Sequence, residues 1–336
     1  MTEEAHAPAA PIVSSPVPGF GLPAGWWPLA HSADVAARPR AVRLGAQPVA
    51  VYRDDSGDIH ALLDRCPHRR LPLSMGRVTQ DGLQCGYHGW TFDRAGHCTL
   101  IPNFKPGERP SARIRVDAFP VTEDDGFVFL WTGDGSAPVT SDLVPRAGAT
   151  ARPPGGRQMR GTAFVRSPYQ LVMDALLANP GAALGLRLLF GSGDEVFGPE
   201  LVQATVDQAV AVRRERRTLE LPRLNTFDPP MSQRSARVLT TTVATTGTTE
   251  VVADGPGDGA VRAVIAVTPE GSHKSVVRWH VRAYGGRARA LLAVSRPAFG
   301  TRQMAGSVVR ALERATDAAP VPDLAVGRLR DLRANG

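Results

Sequence analysis

The stretch that decides the fold is CPHRRLPLSMGRVTQDGLQCGYHGW, residues Cys66–Trp90. It holds two Cys-His pairs: one residue separates Cys66 from His68, and two residues separate Cys85 from His88. Two thiolates and two imidazoles on paired loops suit a [2Fe–2S] cluster in which one iron takes both Cys and the other takes both His. Neutral imidazoles in place of two thiolates lower the negative charge of such a cluster and raise its reduction potential.

The same four side chains are also the ligand set of a Cys2His2 zinc site. Zinc fingers group like ligands together, whereas here each loop carries one Cys and one His. A two-iron cluster with split ligation requires that arrangement, so we interpret the stretch as a cluster site. Tyr87 and Trp90 are close enough in sequence to cover it.

This stretch resembles the N-terminal domain of Rieske non-haem iron oxygenases, in particular the vanillate demethylase and dicamba monooxygenase type. The resemblance extends upstream to GWWPLA at Gly25–Ala30 and downstream to hairpin-like runs at Phe92–Pro102 and Phe119–Asp134. It implies that the two thiolates hold the inner iron of a Rieske cluster. The two imidazoles then hold the outer, more exposed iron, and one of them is the exit for the electron.

The length of 336 residues suits two domains, and a hydrophobic content of 43% is enough for two cores. We expect a flexible tail over residues 1–21, a Rieske domain over 22–134, a linker or surface loop over 135–158 and a second domain over 159–336. The first domain reads as all-β. In the second, antiparallel strands precede terminal helices, so the fold class is α+β. By resemblance, the second domain is the helix-grip domain of the same oxygenases.

Apolar runs bounded by turn residues predict strands in both domains. In the first domain they are Gln47–Arg53 and Ile59–Leu63, joined by a DDSGD turn. In the second domain the predicted strands are Val202–Arg217, Ser235–Thr246, Thr248–Ala253, Ala260–Val267 and Ser275–Ala283. The predicted helices there are Gln170–Leu177, Gln303–Ala315 and Asp323–Leu332.

Composition narrows the class of protein. The formal charge is +7, and the basic residues are almost all Arg. This composition indicates either a compositional bias or a basic face that attracts an acidic electron donor. No basic helix or aromatic-interleaved patch predicts nucleic-acid binding. Three Cys make no disulfide framework, and we expect Cys98 to be a small packed residue. The N-terminus lacks the features of a signal peptide, and no run is long enough to span a membrane, so we expect a cytoplasmic protein.

The resemblance also implies a second, mononuclear iron held by two His and one carboxylate. The family's helical segment for that site falls on Tyr169–Phe190, where Asp174 and the pair Leu176–Leu177 fit its pattern. The metal-site residues do not fit. The family's Asn falls on Ala175, its bridging Asp on Ala178, its two His on Gly181 and Leu186, and its third ligand near Thr301 and Arg302.

The distribution of His supports this interpretation without any alignment. The chain has eight His, and none lies between His97 and His273. On a strand, His280 would share a polar face with Arg278 and Arg282. We therefore expect the second domain to keep the fold and to lack the mononuclear iron.

These observations favour an accessory or electron-relaying subunit that does not itself activate oxygen. Its partners would be an iron-containing Rieske oxygenase subunit in a trimer-based hetero-oligomer, and a ferredoxin or flavin reductase as electron donor. One alternative is a stand-alone Rieske monooxygenase or demethylase with atypical iron ligands. Another is a non-oxygenative protein that binds a small molecule in the helix-grip cavity.

Overall fold

The computed structural model describes residues 19–105, 107–134, 136–139, 143–144, 157–184, 190, 196–204, 209–218, 235–255, 259–285, 289, 306, 308–314 and 324–334. The chain divides into two compact units, Met1–Ser141 and Asp142–Gly336. Residues 1–18 of the predicted tail, and most of the predicted linker, lie outside the described residues. Arg157 and Gln158, which the sequence placed in the linker, belong to a strand.

The first unit is built from short antiparallel strands. They are β1 (Trp26–His31), β2 (Arg40–Leu44), β3 (Gln47–Arg53), β4 (Ile59–Leu63), β5 (Arg77–Thr79), β6 (Gly82–Gln84), β7 (Thr91–Phe92), β8 (Cys98–Leu100), β9 (Ala118–Phe119), β10 (Val121–Asp124) and β11 (Phe127–Trp131). Their sheets run in the orders β1–β11–β10, β2–β3–β4–β9 and β5–β6–β7–β8. The β3–β4 hairpin has the predicted bounds, and it pairs Val49 with Leu63 just before the first Cys-His loop.

One apolar core fixes the bases of both Cys-His loops. Cys66 and Cys85 are buried in it together with Leu62, Leu73 and Phe92. Each fully buried Leu or Phe contributes roughly 1.5–3 kcal/mol to folding. The two thiols are therefore held in position by side chains that the strands β4, β6 and β7 deliver to a common interior.

The second unit is a sheet with helices, which confirms the α+β class. The strands are β12 (Arg157–Val165), β13 (Val196–Ala204), β14 (Ala209–Thr218), β15 (Ser235–Ala244), β16 (Thr248–Gly255), β17 (Gly259–Pro269) and β18 (Ser275–Ala283). They pair antiparallel in the order β12–β18–β17–β16–β15–β14–β13. The described helices are α1 (Tyr169–Ala178), α2 (Pro180–Ala183), α3 (308–314) and α4 (Leu324–Ala334). Among them, no helix is both long and apolar enough to cross a membrane.

One strand assignment from the sequence was wrong, and one strand was missed. The predicted strand Val202–Arg217 is two strands, β13 and β14, which pair with each other. The connecting residues TVDQ contain neither Gly nor Pro, so the pattern showed no break. The edge strand β12 was not predicted. It has Gly161 in its middle, where an added Cβ would collide with the Trp279 ring, so the glycine makes room for a packed indole.

The helix α1 is fixed to the sheet by apolar packing and by one buried cation. Met173 and Leu177 are fully buried, and the hydroxyl of Thr249 on β16 lies 3.9 Å from the Met173 sulfur. Arg214 on β14 is buried and donates hydrogen bonds to the carbonyls of Leu177 and Ala178, the second at 3.1 Å. This guanidinium satisfies carbonyls that the end of a helix leaves without intrahelical donors.

Asp174 ties α1 to α4. Its carboxylate accepts from Arg330 Nε at 2.9 Å and from Arg333 Nη1 at 2.8 Å, and its side chain is only 10% exposed. The Arg333 guanidinium also lies 6.0 Å from the Tyr169 ring centroid. The residue that fits the family's helical pattern therefore has a structural role here, as an anchor for the C-terminal helix.

We expect Asp174→Asn to loosen α4, because it removes the charge that two arginines share in a mostly buried place. The loss should be about 1–3 kcal/mol. Amide hydrogen exchange over Leu324–Ala334 should become at least about tenfold faster, since 1.4 kcal/mol is a factor of ten. Arg328→Ala, an exposed change on the same helix, is the control and should leave exchange unchanged. Equal exchange in the two variants would contradict the anchoring role.

Candidate metal centre

The first Cys-His loop is closed by two backbone hydrogen bonds. The Cys66 amide donates to the Leu71 carbonyl at 2.8 Å, and the Arg70 amide donates back to the Cys66 carbonyl at 2.8 Å. The cysteine thus begins a tight turn whose following amides face its own side chain. His68 lies inside this turn and reaches solvent.

The second loop repeats the same pattern of hydrogen bonds. The Cys85 amide donates to the Trp90 carbonyl at 2.8 Å, and the Gly89 amide donates to the Cys85 carbonyl at 3.2 Å. In both loops the fourth residue after the cysteine has a left-handed backbone, with φ of 59° at Arg70 and 69° at Gly89. Glycine suits that conformation, whereas another residue loses roughly 1–2 kcal/mol there. The first loop therefore carries strain at Arg70 that the second avoids.

The two loops are held together by the turn that precedes β5. The buried carboxylate of Asp64 accepts from the backbone amide and from the hydroxyl of Ser74, each at 2.7 Å. On the other side, a Cβ added at Gly86 would lie 2.9 Å from the Met75 carbonyl oxygen. The Ser74–Met75 turn therefore contacts the start of the first loop and the middle of the second.

The structure brings the four predicted ligands together. Cys66 and Cys85 are free thiols, 2% and 4% exposed, whereas His68 and His88 are exposed. The two imidazoles face one another, with their Nδ1 atoms 3.1 Å apart. All four side chains line one pocket at the surface. The thiols are buried at the base of the site and the imidazoles are exposed at its mouth. A cluster with an inner, Cys-bound iron and an outer, His-bound iron requires this arrangement.

The thiol ligands hold protons that a bound metal would displace. Burial raises the pKa of the Cys66 thiol to about 11, and the adjacent Cys85 thiol contributes to the rise. Desolvation, together with the positive charges of His88 and Arg69, lowers the pKa of His68. At neutral pH the thiol is therefore protonated and the imidazole neutral. A metal that binds here would displace a proton from sulfur, whereas the neutral imidazole already has a lone pair available as a ligand. These residues fit a [2Fe–2S] cluster.

Aromatic side chains fix the imidazole rings. The Trp90 indole is stacked on His68, with ring centroids 4.6 Å apart and an interplanar angle of 1°. The Tyr87 ring lies 3.8 Å from that of His88. Trp90 and Tyr87 therefore cover the site as the sequence predicted, and their contacts limit the rotation of the two imidazoles.

The positions that align with the family's second metal site lie on α1 and α2 or outside the described residues. Ala175 and Ala178 lie on α1, and Gly181 lies on α2, which Asn179 caps by accepting from the Ala182 amide at 3.2 Å. Leu186, Thr301 and Arg302 are outside the described residues. Within the described ranges, no group of three or more His, Cys, Asp or Glu side chains is arranged around one metal ion.

His280 is on the strand face that the sequence predicted, but it is buried, with 6% exposure. It pairs with Arg160 on one side and Val264 on the other. Sequence reasoning missed Asp64 and Arg214, which position the loops and α1. No local signal could have found them, because each acts through a contact remote in sequence.

Residues 25–120 match the family described as "Rieske [2Fe-2S] domain". The oxygenase component of dicamba O-demethylase from Stenotrophomonas maltophilia is 36% identical over 154 residues, which are 45% of this chain and 44% of that protein. The 4beta-methylsterol monooxygenase of Methylococcus capsulatus is 40% identical over 129 residues, 37% of this chain and 34% of that protein. The chain thus spans less than half of the length of either relative.

A solved structure extends the likeness to the whole fold. Dicamba monooxygenase bound to 3,6-dichlorosalicylic acid superposes with a TM-score of 0.70 and 22% identity, covering 92% of this chain and 97% of that one. At this identity the match shows the fold alone. Together, the two comparisons confirm the resemblance that the sequence predicted: the domain around the Cys-His loops is a Rieske domain, which implies a [2Fe–2S] cluster.

We expect Cys66→Ala to abolish the cluster, because one of two buried thiolates is lost. The purified variant should lack the brown colour and the anisotropic electron paramagnetic resonance signal of the reduced protein. Cys98→Ala is the matched control, since Cys98 is also a buried free thiol but lies outside the cavity lining. A colourless Cys98→Ala protein, or a normal signal from Cys66→Ala, would contradict the assignment.

Proposed function

We propose that this chain, whose first unit contains a Rieske domain, is an electron-relaying or accessory subunit of a Rieske oxygenase. It would carry a [2Fe–2S] cluster on Cys66, His68, Cys85 and His88, and a partner subunit would hold the mononuclear iron. The observation that carries this proposal is the contrast between the two units. The first brings a complete cluster donor set together, whereas the second offers Ala178 and Gly181 where the family has metal-site residues.

The geometry of the first unit supports electron transfer through its surface. The cluster, when bound, supplies a one-electron carrier. The thiols are buried, so the exposed imidazoles of His68 and His88 are the side of the site that another protein can approach. The stacked Trp90 keeps the His68 ring fixed, which limits reorganisation when the charge changes.

The second unit supports the proposal in a different way. The Arg214 guanidinium donates to the carbonyls of Leu177 and Ala178, at the end of α1 where the family's pattern reaches its metal site. A buried positive charge there repels a metal cation, because interactions between charges are weakly screened in the interior. Neither Ala178 nor Gly181 has a side-chain donor for a metal. This chain could then pass electrons to a partner but could not receive them at an iron of its own.

A second candidate function is a stand-alone monooxygenase or demethylase with atypical iron ligands. It is favoured by the relatives, which are named as a demethylase component and a monooxygenase. The third hypothesis, a small-molecule binder, has no specific observation in its favour.

Iron analysis separates the first two candidates. We expect about two irons per chain in the purified, fully assembled protein, because only the [2Fe–2S] cluster would be bound. Cys66→Ala is the control and should contain almost none. About three irons per chain, with one that survives in Cys66→Ala, would instead establish a mononuclear site in this chain.

Co-expression with an intact iron-containing oxygenase subunit tests the partnership. The two chains should purify together, and Cys66→Ala should stop turnover by the complex while leaving the complex assembled. Turnover that persists in Cys66→Ala would show that the subunit only completes the assembly. A stable assembly of this chain alone, with no affinity for any such subunit, would contradict the proposal.

A further inference from the structure

We infer that the buried carboxylate of Asp64 is a fixed negative charge that lowers the reduction potential of the cluster. This inference rests on the cluster site of the proposed function and deepens it, because it names a residue that sets the energy of the electron. It does not depend on a partner subunit. Asp64 is not one of the four ligands, so it acts on the cluster through its charge alone.

Asp64 lies close to the base of the cluster site by two routes. Along the chain it precedes Cys66 by two residues, which places their Cα atoms within roughly 7 Å of one another. Through its hydrogen bonds it contacts Ser74. The neighbouring Leu73 is packed in the same apolar core as both thiols. The carboxylate therefore lies near the thiol end of the site.

The charge of this carboxylate is buried and, among the described residues, is not part of an ion pair. Asp64 is 7% exposed. One oxygen accepts from the backbone amide of Ser74 and the other from its hydroxyl, each at 2.7 Å. Both oxygens thus act as acceptors, as those of an ionised carboxylate do. These two neutral donors are the partners of the side chain in the part of the chain that the structure describes, so its negative charge is not neutralised there.

The fold does not require a charge at this position. An asparagine could accept from the Ser74 amide with its side-chain oxygen and donate to the Ser74 hydroxyl with its side-chain amide. Such a residue would hold the same turn without a buried charge. Burying an unpaired charge costs more free energy than burying a hydrogen-bonded amide. The presence of the more costly group indicates that the charge itself has a role.

The sign of the effect follows from Coulomb's law. One-electron reduction adds one negative charge to the cluster, and a fixed negative charge nearby opposes that addition. At a separation of about 10 Å and an effective dielectric constant of about 20, the repulsion changes the ratio of reduced to oxidised cluster by roughly tenfold. The arginines of the first loop have the opposite charge, but they are exposed, and water weakens their effect. Asp64 thus makes the reduced cluster a stronger reductant, which favours onward transfer of the electron.

The test is a redox titration of the full-length holoprotein at one pH, with dithionite and mediator dyes, followed by the visible absorbance of the cluster. At the potential where the wild-type cluster is half reduced, we expect Asp64→Asn to hold about ten reduced clusters for each oxidised one. A tenfold ratio is a shift of about 59 mV for a one-electron couple. The potential rises because the replacement removes a negative charge and keeps the shape of the side chain.

Asp81→Asn is the matched control, because it makes the same chemical change at an exposed carboxylate in the turn between β5 and β6. Solvent and salt screen that charge, so the ratio of reduced to oxidised cluster should stay within about twofold of wild type. Equal shifts in Asp64→Asn and Asp81→Asn would overturn the inference, since a buried position would then have no special effect.

Ser74→Ala separates the charge from the structural role of the carboxylate. It removes one hydrogen bond and leaves the charge in place, so the holoprotein should unfold at a lower temperature. The ratio of reduced to oxidised cluster should nevertheless stay within about twofold of wild type. Equal shifts of that ratio in Ser74→Ala and Asp64→Asn would show that packing of the turn, and not the charge, sets the potential.

Two further outcomes decide the inference. Asp64→Ser is a second neutral variant and should shift the ratio in the same direction as Asp64→Asn. A ratio within about twofold of wild type in Asp64→Asn would overturn the inference. Loss of the cluster from both neutral variants would assign the carboxylate to cluster binding and would also overturn it. A wild-type protein that holds no cluster would instead contradict the proposed function itself, so the two failures are distinguishable.

Discussion

The structure of the cluster site depends on one repeated constraint, the backbone hydrogen bond from each cysteine amide to the carbonyl five residues later. It closes both loops into the same turn and directs Cys66 and Cys85 into a shared apolar core. The histidines of the turns are left at the surface, where Trp90 and Tyr87 limit their rotation. A buried pair of thiols and an exposed pair of imidazoles follow from this geometry.

Two sets of side-chain contacts hold the helix α1 in the second unit. Asp174 joins α1 to α4 through two arginines, and Arg214 satisfies the last carbonyls of α1 from beneath. The first contact joins two helices, and the second joins α1 to the strand β14. Both lie on the helix that the family resemblance aligns with the mononuclear iron site.

Much of the fold could be predicted from the sequence, because strands β3, β4 and β18 are bounded by clear turn residues and have strong apolar patterns. The split between β13 and β14 could not, since TVDQ resembles a strand more than a turn. For the site, residue types and spacing predicted the four ligands, and the structure brings them into one cavity. The strain at Arg70 and the contacts of Asp64 and Arg214 depend on backbone angles and on distant partners, which local sequence patterns do not encode.

The central claim is that this chain carries a cluster with one Cys-bound and one His-bound iron, and no third iron. Mössbauer spectroscopy of the full-length protein, enriched in ⁵⁷Fe and then reduced, tests it most directly. The account predicts one ferric component from the Cys-bound iron and one ferrous component from the His-bound iron, in equal amounts. An additional high-spin ferrous component of comparable area, outside the cluster, would contradict it.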